Sequence, residues 1–419
     1  MTLNGLSPEI VASAPLKKRS YRVLILVTHV IPYGSALFRL LAQEPRLTIL
    51  VAYCSMQGSQ PGMDPEFDRE IRWDTPLLDG YPWVYITNRA LRPGLGRFFG
   101  LVNPGLWTLV RSEGFDAIVI YTGYMCASFW IACLAAKSSG IPVVISSDSS
   151  SLHQREGKRW RAKLKPFVLA CVYRYAEVLM AASEAVKKLA MTLGKPADEI
   201  VIIRSGVDKN AWITRLKEFD REKVRSSWNL PPEALVVLYC AKLQPWKRPL
   251  DLMQAFSKAD LNRCYLVFAG DGPQKSELER EAKSLGIAEK VRILGFVNDS
   301  QMPGVYKSSD LFVLPSEYDP CPLVVPEAMF SGLPVLLSDA VIGRLEMIDQ
   351  GNSGYTYPCG DTDTLAVLLR QILGDASLLE HLKRGVAQQM ESWTSADLLD
   401  SWVTAIDCAI RKKSQMSVL

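Results

Sequence analysis

Histidine is scarce in this chain of 419 residues, which contains three, His29, His153 and His381. So few imidazoles argue against a histidine-rich metal site. The net charge is only +4 and the sequence pI is about 8.5, which is lower than expected for a protein that binds nucleic acid. The first 20 residues also lack the apolar stretch of a signal peptide, and we expect residues 1–20 to form a flexible tail.

The nine cysteines are scattered along the chain and include no C-x-x-C pair. In a chain of this size, that distribution indicates reduced thiols in a cytosol rather than a framework of disulfides. Apolar residues make up 48% of the sequence, and the chain is long enough to bury two separate cores. The sequence therefore predicts a cytoplasmic protein of two packed domains.

One stretch, Ala117–Ala136, carries no charge over 20 residues, which is long enough to span a bilayer. A membrane span is one interpretation. The alternative is a βα unit, in which the β-branched run Ala117–Tyr121 is a strand, Gly123 follows it and a buried helix comes next. The residue pattern favours the βα unit.

Short apolar runs alternate with turns and helical patterns throughout the chain. Strands of this kind predict parallel sheets covered by helices on both faces. Two sets of runs, separated by the polar stretch 209–233, predict a domain over 21–208 and another over 234–391, with ligands in the cleft between them. The runs are Val23–Val27, Leu47–Ala52, Ala117–Tyr121, Val143–Ser146, Val178–Ala182, Ile200–Ile203, Val236–Cys240, Tyr265–Ala269, Val291–Leu294, Leu311–Leu314 and Val335–Leu337.

The most informative segment is Leu314–Pro334, which reads LPSEYDPCPLVVPEAMFSGLP. An apolar run ends there in a polar loop that contains Asp319, and Glu327 follows shortly before a helix expected to begin near Ala328. A strand, loop and helix in this order leave backbone N–H groups free to take an anion. An acid at that point accepts hydrogen bonds from vicinal hydroxyls of a ribose or a hexose. An ordinary βα loop with solvated acids is the alternative.

This segment resembles the retaining glycosyltransferases of family 4, also called group 1, which carry E-G-F-G-L-x-x-x-E-A-x-A-x-G-x-P. Asp319 takes the place of the first acid and Glu327 that of the second. The resemblance implies a GT-B fold of the α/β class, in which two doubly wound Rossmann-like domains face a central cleft. It also implies that residues 392–419 form a helix that crosses back to the first domain.

In that family the first acid and its loop contact the donor sugar, while the second acid holds the ribose. The loop residues assigned to the donor by this resemblance are Pro320, Cys321, Pro322, Leu323 and Val324. The family often has glycine at the two positions that are proline here. Because proline has no backbone N–H to offer a sugar, the identity of the donor sugar stays open.

Three cations follow another predicted strand in the sequence AKLQPWKRP, residues 241–249. A diphosphate needs cations within hydrogen-bond reach. The family has G-R-L-x-x-x-K-G here, so Lys242 takes the arginine position and Lys247 the lysine position. The resemblance therefore implies that Lys242, Lys247 and Asp319 carry catalysis, with a solvated surface loop as the alternative.

Further cleft residues are assigned by the same resemblance or by their position at strand ends. Gly34 follows the first strand, where the family often has two adjacent glycines beside the donor phosphates. Gly270 and Gly272 form a turn that flanks the nucleotide, and Phe296 belongs to the stretch that lines the base. Near strand ends of the first domain, Tyr124 and Asp148 are candidates to contact an acceptor, although an ordinary turn would also be polar.

The triplet Asp361-Thr362-Asp363 has the D-x-D spacing with which the other glycosyltransferase fold, GT-A, holds Mg²⁺ or Mn²⁺. Here it follows a glycine and precedes a helical pattern, which favours a helix N-cap. We therefore predict no metal site and no cofactor other than the nucleotide diphosphate sugar used as donor.

The segment Arg155–Lys165 carries six cations and one acid, with apolar residues interleaved. Such a segment predicts an interfacial helix for anionic lipid headgroups at the inner face of a membrane. A basic helix that is simply solvated is the alternative. Membrane contact would suit a lipid-linked acceptor.

The sequence thus predicts a hexosyltransferase that moves a hexose from a nucleotide diphosphate sugar to a sugar or lipid-linked acceptor, with retention and without a metal. Two alternatives stay open. A nucleotide-sugar hydrolase or epimerase on the same scaffold would release free sugar without an acceptor. A non-catalytic nucleotide-sugar-binding protein would bind the donor without turning it over. No nucleic acid partner is expected.

Overall fold

The computed structural model describes residues 20–64, 69–152, 159–203 and 206–416. Two α/β domains account for them, each built on a parallel sheet. In chain order, the elements of the first half are β1 (Tyr21–Val27), α1 (Pro32–Ala42), β2 (Leu47–Tyr53), β3 (Gly62–Asp64), β4 (Arg69–Ile71), β5 (Trp83–Tyr85), α2 (Gly105–Ser112), β6 (Ala117–Tyr121), α3 (Ala127–Ser138), β7 (Val143–Ser147), α4 (Arg159–Tyr175), β8 (Val178–Ala181), α5 (Glu184–Thr192) and β9 (Ile200–Ile202).

The second half follows the same alternation and ends in three helices. Its elements are α6 (Lys209–Lys217), α7 (Arg221–Ser227), β10 (Leu235–Cys240), α8 (Pro249–Ala259), β11 (Cys264–Ala269), α9 (Lys275–Ser284), β12 (Val291–Gly295), α10 (Met302–Lys307), β13 (Leu311–Leu314), α11 (Val324–Phe330), β14 (Val335–Ser338), α12 (Arg344–Met347), β15 (Gly354–Tyr357), α13 (Thr362–Gly374), α14 (Ala376–Glu391) and α15 (Ser395–Met416).

The first sheet has seven parallel strands in the order β5-β2-β1-β6-β7-β8-β9. Every residue from Val23 to Val27 in the central strand β1 is buried. Val23 and Ile25 belong to the core on one face of the sheet, and Leu24 and Leu26 to the core on the other. Because both faces are covered, the strand is apolar throughout rather than alternating.

The second sheet has six parallel strands in the order β12-β11-β10-β13-β14-β15. Its central strand β10 is likewise divided between two cores, with Val237 on one face and Val236 and Leu238 on the other. The predicted fold class, two doubly wound domains with parallel sheets, is therefore confirmed.

Each sheet has one point at which the chain reverses its direction of winding. In the first sheet, β1 leads outward to β2 and its neighbour β6 leads outward to β7 on the other side. In the second sheet, β10 and β13 are related in the same way. A crevice opens between the loops that follow such a pair of strands, and ligands of doubly wound sheets bind there. The topology therefore directs attention to the loops after β1, β6, β10 and β13.

Residues 209–233, predicted as a linker, form the two helices α6 and α7, which pack on the second domain. Trp212 is only 4% exposed, and its indole N–H donates to Ser331 Oγ at 3.0 Å. Arg225 pairs with Asp310 at 2.7 Å in a buried contact. At the other end of the chain, α15 packs on the first sheet, with Trp402 fully buried in its core.

Some elements differ from those that the sequence predicts. The edge strands β5 and β15 and the hairpin β3–β4 are only three or four residues long, which is too short for a clear strand pattern in the sequence. The helix α11 begins at Val324 rather than near Ala328. Pro326 lies in its first turn, where a missing backbone N–H costs no helical hydrogen bond.

No helix in the described part of the chain combines the length and apolar character needed to cross a membrane. The uncharged stretch Ala117–Ala136 divides into β6 and α3. Of the predicted basic segment Arg155–Lys165, residues 155–158 lie outside the described residues. Lys163 is exposed, but Lys165 Nζ donates to the backbone oxygen of Ser151 at 2.8 Å and so turns toward a loop of the sheet edge.

Candidate active site

A cleft of about 740 Å³ lies between the carboxyl edges of the two sheets. This volume is typical of sites for small molecules and cofactors. The loops after β1, β6 and β7 line it from the first domain, and those after β10 and β13 line it from the second. Both winding reversals therefore open into the same space.

Lys247 and Asp319 form an ion pair on the second-domain wall of the cleft, in which Lys247 Nζ donates to Asp319 Oδ2. Lys247 ends a short 3-10 turn, and Arg248 follows it with a left-handed backbone (φ 50°). The two side chains are only 17% and 11% exposed. The cation is thus held in a fixed place at the cleft rather than on a solvated surface.

Backbone hydrogen bonds fix the two loops that carry this pair. The loop after β10 that carries Lys247 is called the lysine loop, and the loop after β13 that carries Asp319 is called the acid loop. The Glu317 N–H donates to the Trp246 carbonyl at 2.8 Å and so joins the acid loop to the lysine loop. The Ile342 N–H donates to the Asp319 carbonyl at 3.0 Å. Because backbone hydrogen bonds hold both loops, the charged side chains on them need little reorganisation when a ligand or a transition state forms beside them.

Lys242 also lines the cleft, directly after β10. Its loop is packed against the glycine turn after β11. A Cβ on Gly270 would lie 2.0 Å from the Ala241 carbonyl oxygen, and one on Gly272 would lie 2.7 Å from that of Leu243. The two glycines thus allow a close approach between loops and do not line the cleft themselves. Their predicted contact with the nucleotide stays a prediction.

Replacing Gly270 with alanine is expected to displace the Lys242 loop, because the new methyl group would collide with the Ala241 carbonyl. Overpacking of this kind destabilises proteins by about 1–3 kcal/mol. We expect lower stability in urea unfolding and at least tenfold weaker binding of a nucleoside diphosphate in calorimetry. Gly374→Ala is the matched control, since nothing lies within 4 Å of its Cβ position. Equal behaviour of the two variants would contradict this role of Gly270.

The loop from Pro320 to Val324 lines the cleft over its whole length. Burial, together with the nearby acids Asp148 and Asp319, raises the pKa of the Cys321 thiol to about 12. The thiol is therefore protonated at neutral pH and is not an activated nucleophile. Asp148 belongs to the first domain, so this loop lies close to both walls.

Glu327, the second acid of the motif, lies on α11, one turn beyond the lining residues. Burial raises its pKa to about 8, and a hydrogen bond opposes this shift, since Tyr306 Oη donates to Glu327 Oε2 at 2.9 Å. Tyr306 is fully buried, and the centres of its ring and the Trp212 ring are 5.5 Å apart. Glu327 does not line the 740 Å³ cleft, so the structure places it beside that space rather than in it.

Phe296 is covered by a segment of the first domain. Its ring meets that of Trp73 edge-on at 5.5 Å, and the Arg69 guanidinium lies 5.5 Å from its centre. Arg69 also pairs with Asp271 at 3.1 Å. We call the segment Arg69–Asp74 the clasp, because it joins the two domains beside the predicted base site. Phe296 does not line the 740 Å³ cleft.

Asp148 and Tyr124 line the first-domain wall of the cleft. Asp148 is exposed to that space, although desolvation by the surrounding walls raises its pKa and Lys165 lowers it. Burial also raises the pKa of Tyr124. Gly34 does not reach the cleft, because it is buried in the first turn of α1, beside the lining residue Tyr33.

Sequence reasoning did not assign several other residues that line the cleft, among them His29, Tyr33, Tyr173 and Trp246. His29 Nδ1 shares a hydrogen bond of 2.9 Å with Thr28 Oγ1, and Tyr173 shares one of 2.9 Å with Ser147. His29 could have been found from its position directly after the first strand. Tyr173 lies in the interior of α4, and nothing in the local sequence marks it.

Asp361 caps the N-terminus of α13, since its carboxylate accepts the Thr364 N–H at 2.9 Å. Asp363 pairs instead with Lys258 at 2.7 Å. The predicted capping role of this D-x-D triplet is therefore confirmed. Within the described ranges, no group of three or more His, Cys, Asp or Glu side chains is placed to hold a metal ion.

Two doubly wound parallel domains that face each other across a ligand cleft define the GT-B fold. The model of a family described as "Glycosyl transferases group 1" matches residues 220–389, and that of a "Glycosyl transferase 4-like domain" matches residues 69–206. Together the two matches cover most of the chain and support a glycosyltransferase of the group 1 type.

Curated relatives agree with this family. The chain is 31% identical over 237 residues to a D-inositol 3-phosphate glycosyltransferase of Nocardia farcinica, which covers 54% of this chain and 51% of that protein. It is 27% identical over 239 residues to an uncharacterized glycosyltransferase of Methanocaldococcus jannaschii, which covers 57% of this chain and 58% of that protein. The matches thus span only half to three fifths of these relatives.

Among solved structures, the chain is similar to the Anabaena protein Alr3699/HepE in complex with UDP and glucose. The TM-score is 0.72 at 20% identity, and the match covers 92% of this chain and 99% of that one. At this identity the likeness establishes the GT-B fold.

Proposed function

We propose that this chain is a retaining hexosyltransferase that moves a hexose from a nucleotide diphosphate sugar to a hydroxyl of a sugar or lipid-linked acceptor. The observation that carries the proposal is the Lys247–Asp319 pair, held at low exposure on the cleft wall where both winding reversals meet. A diphosphate that leaves the sugar develops negative charge, and a fixed cation stabilises it.

The donor is assigned to the second domain. Lys242 and Lys247 would take the diphosphate, the loop Asp319–Val324 the hexose, and Glu327 the ribose. The Anabaena neighbour supports a donor of this chemistry, because its structure was solved with UDP and glucose. The lysine loop and the acid loop are joined through Glu317 and Trp246, so diphosphate and sugar would be positioned together.

The acceptor is assigned to the first-domain wall, where Asp148 and Tyr124 offer oxygens to its hydroxyl groups. In the proposed reaction, the bond between the sugar's anomeric carbon and the diphosphate breaks, and a bond to the acceptor oxygen forms on the same face. The acceptor proton passes to the departing phosphate oxygen. Same-face transfer needs no protein nucleophile, and the protonated Cys321 thiol in the sugar loop would be a poor one.

We propose that Lys242 and Lys247 stabilise the negative charge of the departing diphosphate, for which other glycosyltransferases use a divalent cation. A lysine ammonium serves a phosphate as a point charge. We therefore propose that the reaction requires no metal. The proposed lipid-linked acceptor rests on the basic segment Arg155–Lys165, of which Lys163 is exposed.

Nucleotide sugars screened by thermal shift are expected to identify one donor that stabilises the protein, by about 2.7 kcal/mol at a hundred times its Kd. Initial rates with that donor and a range of hydroxyl acceptors should then be unchanged by excess EDTA. Release of free sugar without any acceptor would favour a hydrolase, and binding without turnover would favour a non-catalytic protein. Loss of activity on chelation, restored by Mn²⁺ alone, would contradict the metal-free proposal.

A further inference from the structure

The loop after β5 and the helix that follows it expose large apolar side chains to solvent. Leu91 is fully exposed and Phe99 is 73% exposed, while Phe98 and Trp107 are each about 40% exposed. Phe98 and Phe99 pack edge-on at 4.9 Å, so that they present one continuous aromatic surface. Exposed apolar clusters of this kind mark surfaces that bind a partner.

Arginines surround these apolar residues. We call the whole set the arginine-aromatic patch, and it consists of Arg89, Leu91, Arg92, Arg97, Phe98, Phe99, Trp107 and Arg111, all exposed. The sequence contains no acid from residue 80 to residue 112. The next acid, Glu113, is paired with Arg22 at 2.5 Å. The patch therefore carries uncompensated positive charge among apolar side chains.

Internal hydrogen bonds hold the loop in a defined shape. The Asn88 side chain donates to the Gly100 carbonyl at 2.9 Å and accepts the Val102 N–H at 2.9 Å. The Gly94 N–H donates to the Gly100 carbonyl at 3.2 Å, and a Cβ on Gly100 would lie 2.0 Å from the Gly94 carbonyl oxygen. The aromatic residues therefore stand on a preformed loop, and binding would not have to order it.

The loop is anchored at the sheet edge that opens into the cleft. The Asn103 side chain donates to the carbonyls of Cys54 and Ile86, which directly follow the carboxyl ends of β2 and β5. Ser128, at the start of α3, donates its N–H to the Leu101 carbonyl at 3.2 Å. Between β6 and α3 lies Tyr124, which lines the acceptor wall. The patch and the acceptor wall therefore belong to the same edge of the first domain.

From these observations we infer that the arginine-aromatic patch docks the protein on an anionic lipid bilayer, with the first-domain edge of the cleft toward the membrane. Arginines attract the headgroups, and the aromatic and leucine side chains enter the interfacial region. Charge attraction and apolar insertion are two different signals, and stable anchoring to a membrane takes two. The inference does not depend on which reaction occurs in the cleft, and it concerns a surface separate from α4.

The test is flotation of the full chain with vesicles of phosphatidylglycerol and phosphatidylcholine, compared with vesicles of phosphatidylcholine alone. We expect binding to the anionic vesicles only, weakened at high salt because the attraction is screened. The variant Arg89→Gln/Arg92→Gln/Arg97→Gln should bind on the order of a hundredfold more weakly. The variant Phe98→Ser/Phe99→Ser should lose at least tenfold while retaining all four arginines.

The matched control is Arg280→Gln/Lys283→Gln/Arg384→Gln, which removes the same charge from exposed sites of the second domain and should bind like the parent. Circular dichroism and the thermal midpoint establish that each variant is folded. Patch variants that bind like the parent would overturn the inference, as would equal binding to neutral vesicles or binding to single-stranded RNA without binding to vesicles. Loss of binding only when Lys158, Arg159, Arg161 and Lys163 become glutamine would assign docking to the basic segment Arg155–Lys165 and also overturn the inference.

Discussion

Replacing Lys247 with alanine is expected to lower turnover by on the order of a hundredfold or more, which is the usual effect of removing one preorganised contact to developing charge. The ammonium group of Lys247 lies on the cleft wall, where its ion pair with Asp319 orients it. The rate should be measured with saturating donor, because the proposed interaction would strengthen as the diphosphate departs. The loss should therefore appear mainly in kcat rather than in KM.

Lys258→Ala is the matched control for this variant. Lys258 also pairs with an acid, Asp363 at 2.7 Å, but the two side chains are 46% and 84% exposed and lie on the surface of the second domain. Its replacement should leave turnover unchanged. Because Lys247→Ala leaves Asp319 without its cation, unfolding curves of both variants are required. A folded Lys247→Ala protein with parental turnover would remove this lysine from the site.

Replacing Glu327 with alanine is expected to weaken the binding of a nucleoside diphosphate by about 1.5–3 kcal/mol, the range for a hydrogen bond to a charged group. The effect should also depend on pH. The pKa of Glu327 is raised to about 8, so the carboxylate that is proposed to accept ribose hydroxyls becomes the main form only above that pH. The affinity of the parent should therefore rise between pH 6 and pH 9, and the gap between parent and variant should widen.

Calorimetry at several pH values measures this difference, and comparison with the variant cancels the titration of the phosphates themselves. Glu279→Ala, an exposed acid on α9, is the control and should bind like the parent throughout. Tyr306→Phe removes the donor that lowers the pKa of Glu327, so it should shift the rise in affinity to higher pH. Equal affinity of the Glu327→Ala variant and the parent at every pH would mean that the ribose is held elsewhere.

The sequence predicted best those parts of the fold and of the site that depend on residues close together in the chain. The apolar strands and the loops that follow them are local features, and the fold class could be inferred from their alternation. The placing of Lys247 and Asp319 on one wall could be expected as well, because both follow neighbouring strands of a parallel sheet. A direct ion pair between them could not, since it depends on the register and twist of those strands.

Long-range packing accounts for most of what the sequence could not reveal. The clasp Arg69–Asp74 contacts Phe296, which is more than 200 residues away in the sequence, and no local sequence pattern predicts such a contact. The raised pKa of Glu327 depends on its burial beside Tyr306, and a sequence motif does not show how deeply a side chain is buried. The close approach of the Ala241 carbonyl to Gly270 depends on how two loops pack together, which the sequence of either loop does not show. Because residues 209–233 are polar in composition, the sequence did not predict α6 with its buried Trp212 or α7 with its buried Arg225.

The position of α15 has a consequence for how the protein is made. Trp402 and Ile406 complete the core of the first sheet, although the last strand of that sheet ends at Ile202. A ribosome adds about 5–20 residues per second, so the first domain, synthesised early, waits tens of seconds for its last helix. During that interval the surface that α15 later covers stays open to water and to chaperones. The domain that emerges first is therefore the one that finishes folding last.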